Sequence, residues 1–369
     1  MAARVMFQRR LSLRFDQLDF ECDNSTFLKR LNFLVQGLRI KTRSVHRLGI
    51  PPILQIEPSN VCNLRCLTCP TGAGLINRPA AMMPFPMFRS VIDQVKDYVS
   101  LLVFWSWGEP FLNRDAFNMI RYAKDNGLLV HTSSNGHFLD SREQARKVVE
   151  SGLDSLIIAA DGLDQKTYEK YRKGGSLEKV IRSIRNIVSE RASLGVDHPR
   201  ITFRFIAMKH NEHQLEGVRT FAEGLGADAV SFRSPVLRRP DLDFEDRLAP
   251  LQPEYQRFSC HDSPSGSGRL KLDKNYCHRP YANLTIFSNG DVVACENDFN
   301  STAPFGNVAH DSVRRILSSE TPKAFLKIFR RDLDNFSFCR ECENRYIRGH
   351  SANVRTIALK DGDARAKTD

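Results

Sequence analysis

Three cysteines, Cys62, Cys66 and Cys69, stand in a C-x3-C-x2-C run shortly after the apolar stretch Ile53 to Ile56. Thiolates this close together can grip one iron–sulfur cluster. A cubane normally takes four cysteine ligands, so three leave one iron open for another molecule. Taken alone, the same spacing also fits a fragment of a zinc site. Four further cysteines follow far downstream, Cys277, Cys295 and the pair Cys339-x2-Cys342. Four thiolates suit one fully ligated [4Fe-4S] cluster. The competing reading is a four-cysteine zinc site, which usually draws on two short CxxC-like pairs, and the wide 277–295 spacing counts against it. Only Cys22 and Cys260 of the nine cysteines fall outside the two groups. With no secretory signal, such a set points to metal binding or catalysis rather than to a disulfide framework.

The elements that must position these groups can be read from periodicity. From about 51 to 235, short apolar runs alternate with amphipathic stretches. Strands are expected at Ile53–Ile56, Leu101–Trp105, Leu128–Thr132, Ser155–Ala159, Ile201–Ile206 and Ala229–Phe232, with helices near 85–98, 115–125, 141–151, 176–194 and 212–224. Alternation of this kind predicts parallel strands joined by right-handed helical crossovers. Six such units are too few for a closed eight-fold barrel, so the predicted fold is α/β, a partial parallel (β/α)6 barrel. In such arrays reactive groups collect at the C-terminal strand ends. The cysteine loop, Trp107-Gly108-Glu109-Pro110, Ser133-Ser134-Asn135-Gly136, Asp161-Gly162 and Lys209-His210-Asn211 all fall there. Arg204 and Arg233 are further charges near strand ends.

Residues 1–50 read as a basic N-terminal extension with one amphipathic helix, its apolar side made of Phe27, Leu28, Leu31, Phe33, Leu34 and Leu38 and expected to pack on the main domain. Residues 236–269 read as a linker, with Pro240, Pro250 and Pro253 and then a Ser263–Gly268 stretch rich in Ser and Gly. Residues 270–350 form a small C-terminal module: two strands flanking Asn289-Gly290, a strong hairpin signal, then helices near 311–319 and 322–331 and the Cys339/Cys342 pair. Residues 351–369 read as a C-terminal tail.

Composition limits the classes. The chain has 369 residues, 41% of them hydrophobic, and no uninterrupted apolar run long enough for a membrane span. Its formal charge of +11 is distributed rather than blocked, although residues 1–50 hold ten Lys and Arg against four acids. That balance fits a solvated basic face or, at the N-terminus, contact with an anionic membrane surface. Neither a secretory signal nor a transit peptide is legible, so a cytoplasmic location is the expectation.

A cysteine loop on the first strand of a βα array, followed by a Gly-Glu-Pro turn ending the second, resembles the radical S-adenosylmethionine (SAM) enzymes over roughly residues 52–235. The resemblance implies that Cys62, Cys66 and Cys69 hold a catalytic [4Fe-4S] cluster whose fourth iron chelates SAM. One-electron reduction then releases a 5′-deoxyadenosyl radical that abstracts hydrogen from substrate. It also implies cofactor-binding roles. Gly108 and Glu109 match the turn that receives the SAM amino group, with Trp107 in place of a first glycine. Asn135 and Asp161 match positions lining the SAM ribose or the substrate, or else are turn residues bonded to their own backbone. Arg172 is a candidate partner for the SAM carboxylate, or a surface helix residue. Thr68 stands where the family usually has an aromatic residue that packs on adenine.

The later cysteines resemble the start of the SPASM pattern in its shortened, twitch form. With four metal-ligating residues, Cys277, Cys295, Cys339 and Cys342, this implies one auxiliary [4Fe-4S] cluster, two clusters in all. Their number and spacing are most like those of the 2-deoxy-scyllo-inosamine dehydrogenase group, which implies alcohol-to-ketone oxidation of a sugar or cyclitol. The alternative is peptide or protein maturation, by thioether formation or side-chain oxidation; fifty N-terminal residues are too few for the leader-binding segment such enzymes often carry. A zinc-containing nucleic-acid-binding protein explains the charge but neither the Gly-Glu-Pro turn nor the βα series. The expected partners are therefore a small-molecule or peptide substrate and a one-electron reductant such as flavodoxin or ferredoxin, with no nucleic acid.

Overall fold

The structure, a computed structural model, describes residues 5, 9–23, 25–45, 49–236, 248–255, 277–340, 342 and 353–360. Cys260, the Ser263–Gly268 stretch and most of the predicted 236–269 linker lie outside the described residues, as do 361–369 of the predicted tail. The chain divides into two compact units. One comprises Met1–Val61, Ile76–His131 and Lys274–Cys342; the other comprises Cys62–Leu75, Thr132–Asp273 and Glu343–Asp369.

In the first unit, β3 (Ile53–Ile56) is buried along its whole length and pairs in parallel with β4 (Leu101–Val103), which pairs in parallel with β5 (Leu129–Ser134). Runs buried on both faces are what a parallel sheet covered by helices requires. The predicted C-terminal hairpin is present as β9 (Asn283–Ile286) and β10 (Asp291–Val293), turning through Gly290. It is not a freestanding module. Strand β9 pairs in parallel with β3, Ile53 opposite Asn283 through Ile56 opposite Ile286, and β11 (Gly306–Asn307) closes the edge beyond β10. Sequence periodicity cannot show such an addition, because register between distant segments leaves no local trace.

The N-terminal segment differs from the single predicted helix. Leu11–Phe15 and Leu18–Cys22 form a hairpin, β1 and β2, with alternating burial. Phe15 and Phe20 pack against His131, and Phe15 also meets Trp105. The helix Phe27–Thr42 follows, capped by Thr26. Its orientation is the reverse of the expectation: Lys29, Asn32, Gln36 and Arg39 are buried, while Phe27, Leu28, Leu31 and Leu38 are exposed.

In the second unit, β6 (Ser155–Ala159), β7 (Arg200–Ile206) and β8 (Ala229–Arg233) are parallel neighbours. Their crossover helices start and stop at legible signals: Ser141 caps Arg142–Glu150, Asp164 caps Gln165–Tyr171, and Ser176 and Gly195 bound Leu177–Leu194. The predicted tail contains a strand, β12 (Asn353–Ala358), antiparallel to β8. The α/β fold with a parallel-strand series and a C-terminal hairpin is thus present, and the strands do not close into a barrel among the described residues.

The loop bearing the first cysteines leaves β3 at Glu57 and returns at Arg78. These two residues form a buried bidentate ion pair, Arg78 Nη1 to Glu57 Oε2 at 2.9 Å and Nη2 to Oε1 at 2.7 Å. Ser288 donates its N–H and hydroxyl to the same carboxylate, Arg78 Nε donates to the Phe299 carbonyl, and its guanidinium lies 3.9 Å over the Phe287 ring. Below the pair, Asn60 N donates to Ala81 O and Met83 N to Pro58 O, and Asn113 donates to Pro58 O and Met83 O. Removing one partner of a buried pair leaves an uncompensated charge. Arg78→Met is therefore expected to lower the urea-unfolding free energy by about 3–5 kcal/mol, and adding Glu57→Gln to recover most of that loss.

Candidate functional site

In the second unit the cysteine loop packs against the end of the helix Gln165–Tyr171, where Arg65 N donates to Lys173 O. Cys66 is buried with Leu64, Tyr171, Met208 and Leu248, and Cys62, Leu67 and Cys69 pack against that cluster. The loop is tight enough that a Cβ on Gly72 would come within 2.5 Å of the Cys66 nitrogen. Burial pushes the Cys66 thiol up to about 11, with Arg172 acting in the opposite direction. The free thiol is thus held protonated, and deprotonation must accompany binding of a metal centre.

Polar side chains address the sulfurs. Asn135 Nδ2 donates to Asn63 Oδ1 at 2.8 Å and lies 3.7 Å from Cys62 Sγ, while its own Oδ1 accepts from His137 N. Arg172 Nη1 lies 3.7 Å from Cys66 Sγ, and its Nε donates to Asp161 Oδ2 at 2.6 Å. Asp161 is fully buried, and its second oxygen accepts from Ile206 N. Burial alone would lower the Arg172 pKa, but Asp161 and the neighbouring thiol raise it well above the usual value and keep the guanidinium charged. Arg172 is not the surface residue that one reading allowed, and Asp161 is engaged by backbone and guanidinium rather than turned toward open space.

Thr68, the non-aromatic departure, has its hydroxyl 2.7 Å from the hydroxyl of buried Tyr171. The ring that packs beside the cysteine loop thus comes from the helix Gln165–Tyr171, an element that no strong periodicity announced.

In the first unit, Gly108 has φ of +97°, and a Cβ there would sit 2.4 Å from Ser59 O and 2.8 Å from Val61 O. The turn therefore presses directly on the backbone that leads into Cys62, a contact only glycine permits. Glu109 N donates to Val61 O, and its carboxylate accepts from Phe111 N at the start of a 3-10 turn. Trp107 needs no glycine-like backbone here. Its Nε1 donates to Glu296 O at 2.8 Å and its ring meets Phe299 edge-on.

The second cysteine group gathers in the same unit. The β9–β10 hairpin returns Cys295 toward the segment preceding β9, and Cys277 is close enough to Cys295 to raise the latter's pKa further. Asn297 Nδ2 donates to Cys342 Sγ at 3.1 Å, and a turn from Cys339 O to Cys342 N holds the last two together. Burial pushes Cys295 up to about 11 and also raises Cys277, with Arg279 opposing both. Arg279 in turn pairs with Glu296, which also accepts from Gln55. The charged neighbours Arg279 and Glu296 sit two residues and one residue after cysteines, a signal the sequence offered and the motif reading passed over.

Among the described residues no three His, Cys, Asp or Glu side chains stand ready around a single ion. A cubane spreads its thiolates over separate irons. Soft thiol donors, Cys66 buried and the others half-buried, free of disulfides among the described residues and with N–H groups directed at sulfur, are the donor set an iron–sulfur cluster takes.

A parallel α/β series with a three-cysteine loop, and a second cysteine set beyond a hairpin, carries the donor residues of an iron–sulfur protein. The model of the radical SAM superfamily matches residues 56–222, and that of the SPASM iron–sulfur cluster-binding domain matches residues 277–343. The chain thus carries both domains: a radical SAM domain, which binds SAM and a [4Fe-4S] cluster, and a SPASM domain, which binds auxiliary iron–sulfur. Fe-coproporphyrin III synthase of Methanosarcina barkeri is 24% identical over 254 residues, 66% of this chain and 61% of that protein. The tungsten-containing aldehyde ferredoxin oxidoreductase cofactor-modifying protein of Pyrococcus furiosus is 24% identical over 332 residues, 79% of this chain and 87% of that protein. Against the synthase and two further relatives the chain spans only 56–65% of their length. The crystal structure of Streptococcus suis SuiB bound to S-adenosylmethionine overlays with a TM-score of 0.59 at 14% identity, covering 88% of this chain and 81% of that one, a likeness of fold.

Gly108→Ala forces a side chain into both a positive-φ turn and the Ser59–Val61 backbone. It is expected to cost roughly 2 kcal/mol or more and to weaken SAM binding, which urea titration and equilibrium dialysis of the reconstituted protein would read separately.

Proposed function

We propose that this enzyme oxidises a small hydroxylated substrate, a sugar or cyclitol, from alcohol to ketone, in the manner of 2-deoxy-scyllo-inosamine dehydrogenase. The observation that carries the reading is the cysteine set within the SPASM match: Cys277, Cys295, Cys339 and Cys342, four thiols for one cluster. A cluster with every iron ligated has no position left for substrate, which leaves electron transfer as its chemistry.

Cys62, Cys66 and Cys69 are the ligands for the first cluster, and the Gly108-Glu109 turn the backbone acceptor for the SAM amino group. With a cluster and SAM held there, one-electron reduction would supply a 5′-deoxyadenosyl radical, and an auxiliary cluster would supply an electron acceptor. Asn135 and Arg172 orient the sulfurs, and Asp161 positions Arg172. Removing a hydrogen atom, a proton and an electron from a carbinol gives the ketone. Methionine and 5′-deoxyadenosine would be the co-products, the electron taken from the substrate offsetting the one put in. His210 is assigned as the proton acceptor: its ring nitrogens are buried with no hydrogen-bond partner among the described residues. Burial lowers its pKa below the ordinary histidine value and keeps the ring neutral.

The second reading is oxidation or thioether formation on a peptide. Its support is the modifying role named for the Pyrococcus furiosus relative, and a fold shared with SuiB, which has been crystallised with its precursor peptide SuiA. The same hydrogen abstraction serves both readings, and the substrate separates them. Reduced enzyme with SAM should convert a polyol to a product lacking two hydrogens in step with 5′-deoxyadenosine. Modification of peptides alone would overturn the dehydrogenase reading. A Cys339→Ala, Cys342→Ala variant with its first cluster intact should still form 5′-deoxyadenosine but lose turnover. His210→Gln should lower ketone formation roughly a hundredfold while 5′-deoxyadenosine still forms.

A further inference from the structure

The helix Phe27–Thr42 is turned inside out. Lys29 Nζ donates to Gly127 O at 2.6 Å, Asn32 Nδ2 donates to Ile50 O and Tyr98 O, and Arg39 donates to Gln36 and lies over the Tyr281 ring. The polar side is thus the one fastened to the protein. The outward side carries Phe27 at 57% exposure, Leu28 at 46%, Leu31 at 42% and Leu38 at 61%.

At 3.6 residues per turn, Phe27, Leu31, Leu34 and Leu38 fall within an arc of about 60°, and Leu28 and Val35 widen it to about 120°. Water alone would favour the opposite arrangement, since an outward leucine gains nothing and an inward lysine must be desolvated. The outward face is therefore built for an apolar surface.

Its charge narrows the occupant. No acid occurs anywhere in Phe27–Thr42, and Lys41 and Arg43 are exposed at its C-terminal end. A second copy seated on this stripe would set one acid-free helix against another, with no carboxylate on either helix to meet the bases. A leucine- and phenylalanine-rich stripe free of acids, with two exposed bases at its C-terminal end, has the composition of a helix lying in the plane of an anionic bilayer, apolar side chains among the acyl chains and the bases at the headgroups. We propose that this helix docks the enzyme on an anionic lipid surface. No helix among the described residues is long and apolar enough to cross a membrane, so the contact is peripheral.

The test is flotation of the full-length, cluster-reconstituted enzyme with vesicles of phosphatidylcholine alone and of phosphatidylcholine with phosphatidylglycerol at about three to one. Binding is expected to the anionic vesicles and to fall with added salt. Leu31→Glu with Leu38→Glu should reduce it by at least about tenfold. These side chains are exposed, so cluster absorbance and circular dichroism should be unchanged. Lys41→Gln with Arg43→Gln should remove the preference for anionic lipid. No partition onto either vesicle would overturn the proposal, as would equal partition of the double-glutamate variant. A lipid-indifferent enzyme whose concentration-dependent dimer is lost in that variant would assign the stripe to a second copy instead.

Discussion

The Glu57–Arg78 ion pair is the interaction on which the rest of the site depends. It joins the two ends of the loop that carries Cys62, Cys66 and Cys69, and both side chains are almost wholly removed from water, at 0% and 4% exposure. Burying two charges is costly, and replacing such a pair with apolar residues is often no loss of stability. What the pair adds is direction. Two parallel N–H···O bonds fix both position and plane, and the same carboxylate anchors the hairpin turn at Ser288. Within the first unit, one buried group thus joins residues 57 and 78 and fastens the β9–β10 turn beside the end of β3.

The departures from the family pattern become intelligible on this frame. Trp107 replaces a glycine whose freedom the turn does not use at that position. Gly108, one residue later, is where backbone meets backbone. The indole ties the turn to Glu296, next to Cys295, so residues at the ends of β4 and β10 share one network. Thr68 gives up an aromatic ring and gains a hydroxyl bond to Tyr171, which supplies a ring from another element.

How much of this was legible follows from the range of each signal. Cysteine spacing, the Asn289-Gly290 turn and the βα alternation are local, and the fold class and cysteine groups could be read from them. Parallel pairing of β9 with β3 and the pairing of β12 with β8 join segments far apart in sequence, and no periodicity encodes them. The orientation of the N-terminal helix is not legible in its apolar stripe, since periodicity marks a face without saying whether it turns inward. Burial of Lys29 and Arg39 depends on carbonyls and a ring far away in the chain, Gly127 O and Tyr281. Asp161 and Arg172 were each named as candidates, but their ion pair, and so their shared role, required the third dimension.

Each unit solves the same electrostatic problem in the same way. A thiol buried in apolar surroundings resists ionisation, and Cys66 and Cys295 both stand near 11. In each case an arginine opposes the effect, Arg172 for Cys66 and Arg279 for Cys295, and each arginine is itself paired with a carboxylate, Asp161 or Glu296. A lone buried guanidinium would demand a counter-charge; a paired one has its charge balanced and still has N–H groups to spare. Hydrogen bonds directed at sulfur and low solvent exposure are two of the levers by which a protein sets the potential of an iron–sulfur cluster. In each unit an arginine–carboxylate pair therefore offsets part of the penalty that burial places on a neighbouring thiolate, at residues that motif spacing never marks.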